Sequence, residues 1–179
     1  MPKESVLNFR IMAWTFKLRD LLRPRRTVLA EAGLKPGDRV LDFGCGPGGY
    51  VLPAVKIIGP EGEYVALDIS RLAVKSVENL AFKHHLKNVR TVRSGHKTGL
   101  PNAGVDVAFL FDVFHGLSKP DAVLTEIARV LKPGGHLCFS DHHLDEDRIK
   151  AAVTGPGLFA FASRGAYMFT FVPVKEKAA

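Results

Sequence analysis

Short apolar runs and helical-period stretches alternate along most of this chain. Val40-Leu41-Asp42-Phe43, Tyr64-Val65-Ala66-Leu67, Val89–Val92, Val105–Phe111 and His136–Ser140 each have the length and content of a strand. The run at 105–111 is apolar almost throughout, which suits the centre of a parallel sheet covered on both faces. Between these runs, Val51, Val55 and Ile58 recur at helical spacing up to the stop at Gly59-Pro60. Ala73, Val77, Leu80 and Ala81 repeat the pattern behind Ser70, a capping residue. Val123, Ile127, Val130 and Leu131 repeat it again, closed by Lys132-Pro133-Gly134-Gly135. The chain ends with a short helix near 145–153 and a hairpin over 158–163 and 166–173 that turns at Arg164-Gly165. At the other end, residues 4–22 predict one helix or two, stopping at Arg23-Pro24, and a short helix over 25–32 stops at Gly33. Five alternations of strand and helix are the signature of a doubly wound α/β domain.

The first strand runs straight into Gly44-Cys45-Gly46-Pro47-Gly48-Gly49. Glycines at such a turn let backbone N–H groups approach a ligand without interference from a Cβ. Taken literally, the spacing satisfies the dinucleotide pattern G-x-G-x-x-G. Two neighbours argue for another ligand. Asp42 puts a carboxylate at the strand end, and Pro47 removes an N–H donor that a pyrophosphate would use. A ligand carrying an ammonium and a sulfonium suits that mouth better than one carrying two phosphates.

The stretch from Val40 to Gly49 resembles motif I of class I S-adenosylmethionine-dependent methyltransferases, and the resemblance continues in order along the chain. Ala66-Leu67-Asp68-Ile69-Ser70 is similar to the acidic second-strand motif. Leu100-Pro101 through Val105-Asp106 and Val113-Phe114-His115-Gly116-Leu117 are similar to the segments on either side of strand four. Ile127 to Gly135 is similar to the helix-to-strand-five motif. Together these motifs cover residues 36–141, and the nearest subgroup is the small-molecule, ubiquinone/menaquinone type. The resemblance implies a Rossmann-like seven-stranded sheet in the order 3-2-1-4-5-7-6, mostly parallel with an antiparallel strand near one edge.

The same resemblance implies roles for individual residues. Asp42 and the backbone of Gly44, Cys45, Gly46 and Gly48 would hold the methionine part of S-adenosylmethionine. Asp68 would accept from the ribose hydroxyls, Ile69 would lie on the adenine, and the Phe111 backbone would face the ammonium and the methyl. Gly95 and His96 stand after strand three, where relatives usually place an aspartate on the adenine amine. A neutral imidazole could accept that hydrogen bond, or His96 is simply exposed and backbone groups read the adenine. S-adenosylhomocysteine would be the product.

Methyl transfer from a sulfonium requires positioning of the acceptor and, where needed, its deprotonation, so neither a nucleophile nor a metal is expected. Asp112 and His115 after strand four and His142 after strand five are the candidates for acceptor-side acid–base work, since ligands of α/β sheets bind at carboxyl ends of strands. Asp141 reads more readily as a helix cap. His142 and His143, as neighbours on an extended segment, would point apart.

Composition narrows the partners. A chain of 179 residues with 46% hydrophobic content is long enough for one domain with a real core. Residues 1–32 read as a helical lid segment and 33–179 as the methyltransferase domain, with Phe9, Met12, Trp14 and Phe16 available to cover the ligand. Two cysteines make neither a disulfide framework nor a four-thiolate zinc site. No apolar run has the length of a membrane span and the first residues lack a secretory pattern, so the expected location is the cytoplasm.

The net charge is +7, concentrated in 17–26 (Lys17, Arg19, Arg23, Arg25, Arg26) and in 71–97. That excess is compatible with a small anionic acceptor. It also keeps open an RNA or protein methyltransferase that docks on the basic surface. A non-catalytic cofactor-binding subunit and a nicotinamide dehydrogenase are the remaining alternatives. The aromatics of the closing hairpin, Phe159, Phe161, Phe169 and Phe171, alternate as core residues do, and an apolar edge there would suit a homodimer.

Overall fold

A computed structural model describes residues 25–174. The predicted helices within 4–22 and the proposed lid aromatics lie outside the described residues. The element order is α1 (Arg25–Glu31), β1 (Arg39–Phe43), α2 (Val51–Ile58), β2 (Glu63–Asp68), α3 (Arg71–Lys83), β3 (Val89–Arg93) and β4 (Val105–Phe111). A 3-10 turn (Phe114–Gly116), α4 (Pro120–Val130), β5 (Leu131–Ser140), α5 (Glu146–Thr154), β6 (Phe159–Arg164) and β7 (Phe169–Pro173) follow. The strands form one seven-stranded sheet in the order β3-β2-β1-β4-β5-β7-β6. The pairs β1–β2, β1–β4, β2–β3 and β4–β5 are parallel, while β7 is antiparallel to both β5 and β6. Fold class and strand order are therefore those the sequence implied. Among the described residues no helix is long and apolar enough to cross a membrane.

Alternate residues of each central strand feed opposite faces, as a two-residue side-chain period requires. Leu41, Phe43, Ala108, Leu110, Leu137 and Phe139 face α4 and α5 and join Val123, Ile127 and Ile149 in one core cluster. Val40, Asp42's neighbour on the other face, joins Val107, Phe109 and Cys138 in a second cluster with Ala54 and Ile58 of α2 and Val77 of α3. Val28 and Leu29 of α1 and Ala32 just after it are buried in that second cluster, so one face of α1 packs on the domain core.

Two local differences from the sequence reading have clear causes. Leu131 begins β5 instead of ending α4, because it pairs with Val105 across a bulge before the register resumes at His136 and Val107. Within that bulge Gly134 has φ of 89°, and a Cβ on Gly135 would stand 2.7 Å from the Asp106 carbonyl oxygen. The second difference is Phe161, which is 39% exposed on the edge strand while Phe159, Phe169 and Phe171 are buried. Its ring lies against Phe171 at 5.9 Å and under the Lys150 ammonium at 4.5 Å.

Carboxylates fasten the loops that border the strand ends. Glu31 on α1 accepts from the backbone N–H groups of Ala166 (3.0 Å), Tyr167 (3.1 Å) and Met168 (2.9 Å), holding the β6–β7 turn against α1. Glu126 on α4 accepts from the Thr98 N–H at 2.8 Å and hydroxyl at 2.6 Å, and from the Arg129 fork at 2.7 and 2.9 Å. The Arg129 hydrogen bond, reinforced by Thr98, lowers the Glu126 pKa to about 2. A depressed carboxylate adds stability above its unfolded pKa and loses it as pH falls through the folded value. Glu126→Gln is therefore expected to cost about 2 kcal/mol at pH 7, a penalty that closes between pH 4.5 and 2. Urea unfolding across that range checks it.

Candidate functional site

The carboxyl ends of the parallel strands carry one groove with two lobes. Behind β1, the N–H groups of Gly44 and Cys45 both donate to the Leu67 carbonyl, at 2.7 and 3.0 Å. Asp68 at the end of β2 completes the link, one oxygen accepting from the Gly46 N–H at 2.9 Å and the other from the Ser70 N–H at 2.8 Å. Gly44 has φ of 84°, and a Cβ there would overlap Val113 after β4. Ser70 caps α3 by accepting from the Ala73 N–H.

The inner lobe, about 230 Å³, is lined by Asp42, Cys45, Gly46, Tyr50, Phe111 and Arg25 among others. The outer lobe, about 380 Å³, is lined by Ile69, Gly95, His96 and Leu117 among others. Gly44, Asp68 and Val113 line both, which puts a carboxylate at the waist. Ile69 is 58% exposed, an apolar surface facing the outer lobe. Of the ten residues expected to bind the cofactor, Gly48 alone lines neither lobe. Its N–H donates to the Cys45 carbonyl at 3.0 Å, and a Cβ would stand 2.9 Å from Val77, so it lets the loop lie close on α3.

Asp42 is 3% exposed and accepts from the Tyr64 hydroxyl at 2.6 Å. Burial is the main cause that lifts its pKa to about 6, with Asp68 adding to the rise and Tyr64 and Arg25 opposing it. Burial also pushes up the thiols of Cys45 and Cys138, so neither is a thiolate nucleophile. Arg25 and Tyr64 were not singled out by the sequence. Arg25 reaches the inner lobe from α1, its guanidinium 5.1 Å from the Tyr50 ring centroid, and Gly49 leaves the space it occupies. The sequence placed Arg25 only in the basic cluster 17–26, and the local signal for it was Gly49, the last glycine of the pattern. Tyr64 reads as core, and only the strand register reveals its hydroxyl beside Asp42.

A third cavity of about 210 Å³ borders the groove, and Asp112 lines both this cleft and the inner lobe. Asp112 has φ of 54°, unusual for a residue with a side chain, and its N–H donates to the Ser140 carbonyl at 2.7 Å. Its carboxylate meets the His142 ring Nδ1 at 2.8 Å and accepts the His142 N–H at 3.2 Å. His115 lies outside the lining of all three cavities and pairs with Asp141, Nδ1 to oxygen at 2.9 Å. Burial opposes the Asp141 charge, yet hydrogen bonds from the His115 backbone and ring and from the His143 N–H outweigh it and keep its pKa lowered.

Two expectations are corrected here. Asp141 does not cap the following helix; Asp145 does, accepting from the Arg148 N–H at 2.9 Å. His142 and His143 do not point apart. They sit in a turn, not an extended segment, and their rings approach to 3.9 Å, with His115 on His143 at 4.0 Å. Ligand atoms of Asp112, Asp141 and His142 lie within 4.8 Å of one another, a spacing that could hold a metal ion. Both Asp141 oxygens already accept from protein donors.

With this geometry in view, the similarities to known proteins are informative. Residues 34–157 match a family described as a methyltransferase domain. An uncharacterized methyltransferase of Schizosaccharomyces pombe is 35% identical over 118 residues, 62% of this chain and 42% of that protein. A ubiquinone/menaquinone biosynthesis C-methyltransferase of Ectopseudomonas mendocina is 28% identical over 155 residues, 86% of this chain and 57% of that protein. The chain spans about half the length of the curated relatives it matches, between 36% and 57% for the first four. Among solved structures, a SAM dependent methyltransferase of Aquifex aeolicus superimposes with a TM-score of 0.74 at 29% identity, covering 86% of this chain and 90% of that one.

Proposed function

The chain belongs to the methyltransferase domain family, and on that premise we propose that it transfers the methyl group of S-adenosylmethionine to a small-molecule acceptor. The observation that carries this reading is the Asp68 carboxylate at the waist of a two-lobed groove. The donor set fits the molecule. A buried carboxylate, Asp42, and a cation, Arg25, line one lobe, which suits a zwitterionic amino-acid end. The exposed apolar face of Ile69 and the His96 ring line the other, which suits a flat base. S-adenosylmethionine supplies, when bound, an electrophilic methyl on a good leaving group.

The residues of this chain then have distinct tasks. Arg25 binds a carboxylate, Asp42 and the Phe111 carbonyl face an ammonium, and Asp68 accepts from vicinal hydroxyls. Ile69 and Gly95 hold the base, with His96 accepting from its amine. Asp112 and His142 stand where the groove opens into the third cavity, and the charged Asp112 favours the His142 tautomer with its proton on Nδ1. Nε2 is then the atom that takes a proton from an acceptor. His115 acts on this corner only through Asp141, as a positioning residue.

Calorimetric titration tests the reading. S-adenosylmethionine and S-adenosylhomocysteine are expected to bind in the micromolar range and NAD not at all. Arg25→Ala is expected to weaken both by about tenfold, the loss of one charge-assisted contact. NAD binding without S-adenosylmethionine binding contradicts the reading, and tight binding without turnover on any acceptor favours a non-catalytic subunit. A second reading, RNA methylation, draws on Arg71, Lys75, Lys83, Lys87, Arg90, Arg93 and Lys97, all exposed on α3, on β3 or in the segments that follow each of them. It requires RNA binding that falls steeply and linearly in log affinity against log salt.

A further inference from the structure

We propose that Tyr64 is a positioning residue for the cofactor: its buried hydroxyl holds one oxygen of Asp42 and leaves the other for the ammonium in the inner lobe. The proposal rests on the methyl-transfer reading and deepens it, since Tyr64 acts on the ligand only through Asp42.

Strand register puts the phenol within reach. Asp42 stands opposite Ala66 on β2 and Phe109 on β4, while Tyr64 stands opposite Val40, one diagonal step from Asp42. Strand spacing and rise put such diagonal neighbours about 8 Å apart, a span that a tyrosine side chain bridges. Ala66, directly opposite, is small enough to leave that path open. The other diagonal neighbours of Asp42 are Asp68, Val107 and Phe111, so Tyr64 alone among the four offers a hydroxyl.

The roles within the pair are fixed. Tyr64 is fully buried, and burial together with the Asp42 charge keeps the phenol proton bound, so the hydroxyl donates. It meets Oδ2 of Asp42 at 2.6 Å. Among the described residues no group donates to Oδ1, and Asp42 lines the inner lobe. Oδ1 is therefore the oxygen left for a ligand.

Two effects follow from this hydrogen bond. It stops the carboxylate from turning, and it favours the charged form that an ammonium needs. The remaining surroundings do less for that charge. Asp68 at the end of β2 opposes it, and Arg25 of α1 supports it more weakly than Tyr64 does. Cys45 in the glycine loop stays a thiol, and Tyr50 ahead of α2 also lines the lobe. The core cluster on this face takes Phe109 and Phe111 from β4, Ala54 from α2 and Val77 from α3, all apolar.

The test uses Tyr64→Phe, which removes one oxygen, and two ligands that share a nucleoside thioether. S-adenosylhomocysteine carries the ammonium, whereas 5′-methylthioadenosine lacks the whole amino-acid end. Calorimetry between pH 5.5 and 8 is expected to show S-adenosylhomocysteine bound about fivefold more weakly by the variant at pH 6, and within about twofold at pH 8. That convergence is what a rise of about one pH unit in the Asp42 midpoint gives when only the ionised form holds the ammonium. The second ligand is expected to bind both proteins alike, with a thermal melt reporting that the variant is folded. His96, in the outer lobe, is common to both proteins and cancels in the comparison. Placing 3-fluorotyrosine at position 64, a stronger donor of nearly the same shape, is expected to move the midpoint down, and it decides the matter if the phenylalanine variant does not fold. Wild-type affinity in Tyr64→Phe at pH 6, a loss equal for both ligands or constant across pH, or an unmoved midpoint with 3-fluorotyrosine overturns the positioning role. Failure of the folded wild-type protein to bind either ligand defeats the underlying methyl-transfer reading instead.

Discussion

Asp68→Ala is expected to lose measurable binding of S-adenosylmethionine and S-adenosylhomocysteine while the protein stays folded. Two effects combine at this residue. Its carboxylate lines both lobes, where ribose hydroxyls would each give it a charge-assisted hydrogen bond, worth about 1.5–3 kcal/mol apiece. It also holds the Gly46 and Ser70 N–H groups at 2.9 and 2.8 Å, so its removal frees the glycine loop that shapes the inner lobe. The first effect alone predicts a loss of about a hundredfold or more in affinity. Asp68→Asn keeps the size and one acceptor oxygen, and is expected to fall between wild type and alanine. Calorimetry with a parallel thermal melt separates the two effects. A change in affinity of threefold or less in Asp68→Ala removes Asp68 from the site.

Asp42→Asn is expected to make the free protein more stable at neutral pH and its complex weaker. Burial raises the Asp42 pKa from 3.8 to about 6. Such a shift corresponds to about 3 kcal/mol of ionisation cost, to order of magnitude. Because the folded state holds this proton more tightly than the unfolded chain, stability falls as pH rises from 3.8 to about 6 and the cost is fully present above that window. An asparagine never ionises, and it can still accept from the Tyr64 hydroxyl now 2.6 Å from Asp42. The variant is therefore expected to gain stability at pH 7, on the order of 2 kcal/mol, and little at pH 4. Binding runs the other way. An ionised Asp42 is the partner for an ammonium, so wild-type affinity for S-adenosylmethionine is expected to rise from pH 5 to pH 7, with a drop of about tenfold or more in the variant at pH 7. Denaturant unfolding and calorimetry at pH 4, 5 and 7 test both halves. A variant that is less stable than wild type at pH 7 contradicts the assignment of a costly buried charge.

These two residues also show what local sequence carries. Asp42 and Asp68 lie within the ends of their strands, and the Gly44–Gly49 loop and the Ser70 cap adjoin β1 and α3 directly, so strand length, turn chemistry and capping rules sufficed to locate them. The sheet order came with the family resemblance, since hydrophobic periodicity says nothing of which strand lies beside which. What escaped is tertiary. Arg25 enters the groove because α1 folds across Gly49, and Tyr64 meets Asp42 because two strands are in register. The His142–His143 contact depends on a turn after β5 that the alternation rule for strands could not anticipate. Glu31 is the plainest case: a carboxylate on a short helix that fastens three backbone N–H groups of a turn far along the chain, with no local mark at either end.

The structure of the complex with S-adenosylhomocysteine is the most direct test of the account. The ribose is expected at the Asp68 carboxylate, the adenine against Ile69, Gly95 and His96, and the amino-acid end between Asp42 and Arg25, with the sulfur towards Asp112. A ligand bound in the reverse direction, or bound elsewhere on the molecule with Asp68 untouched, contradicts it.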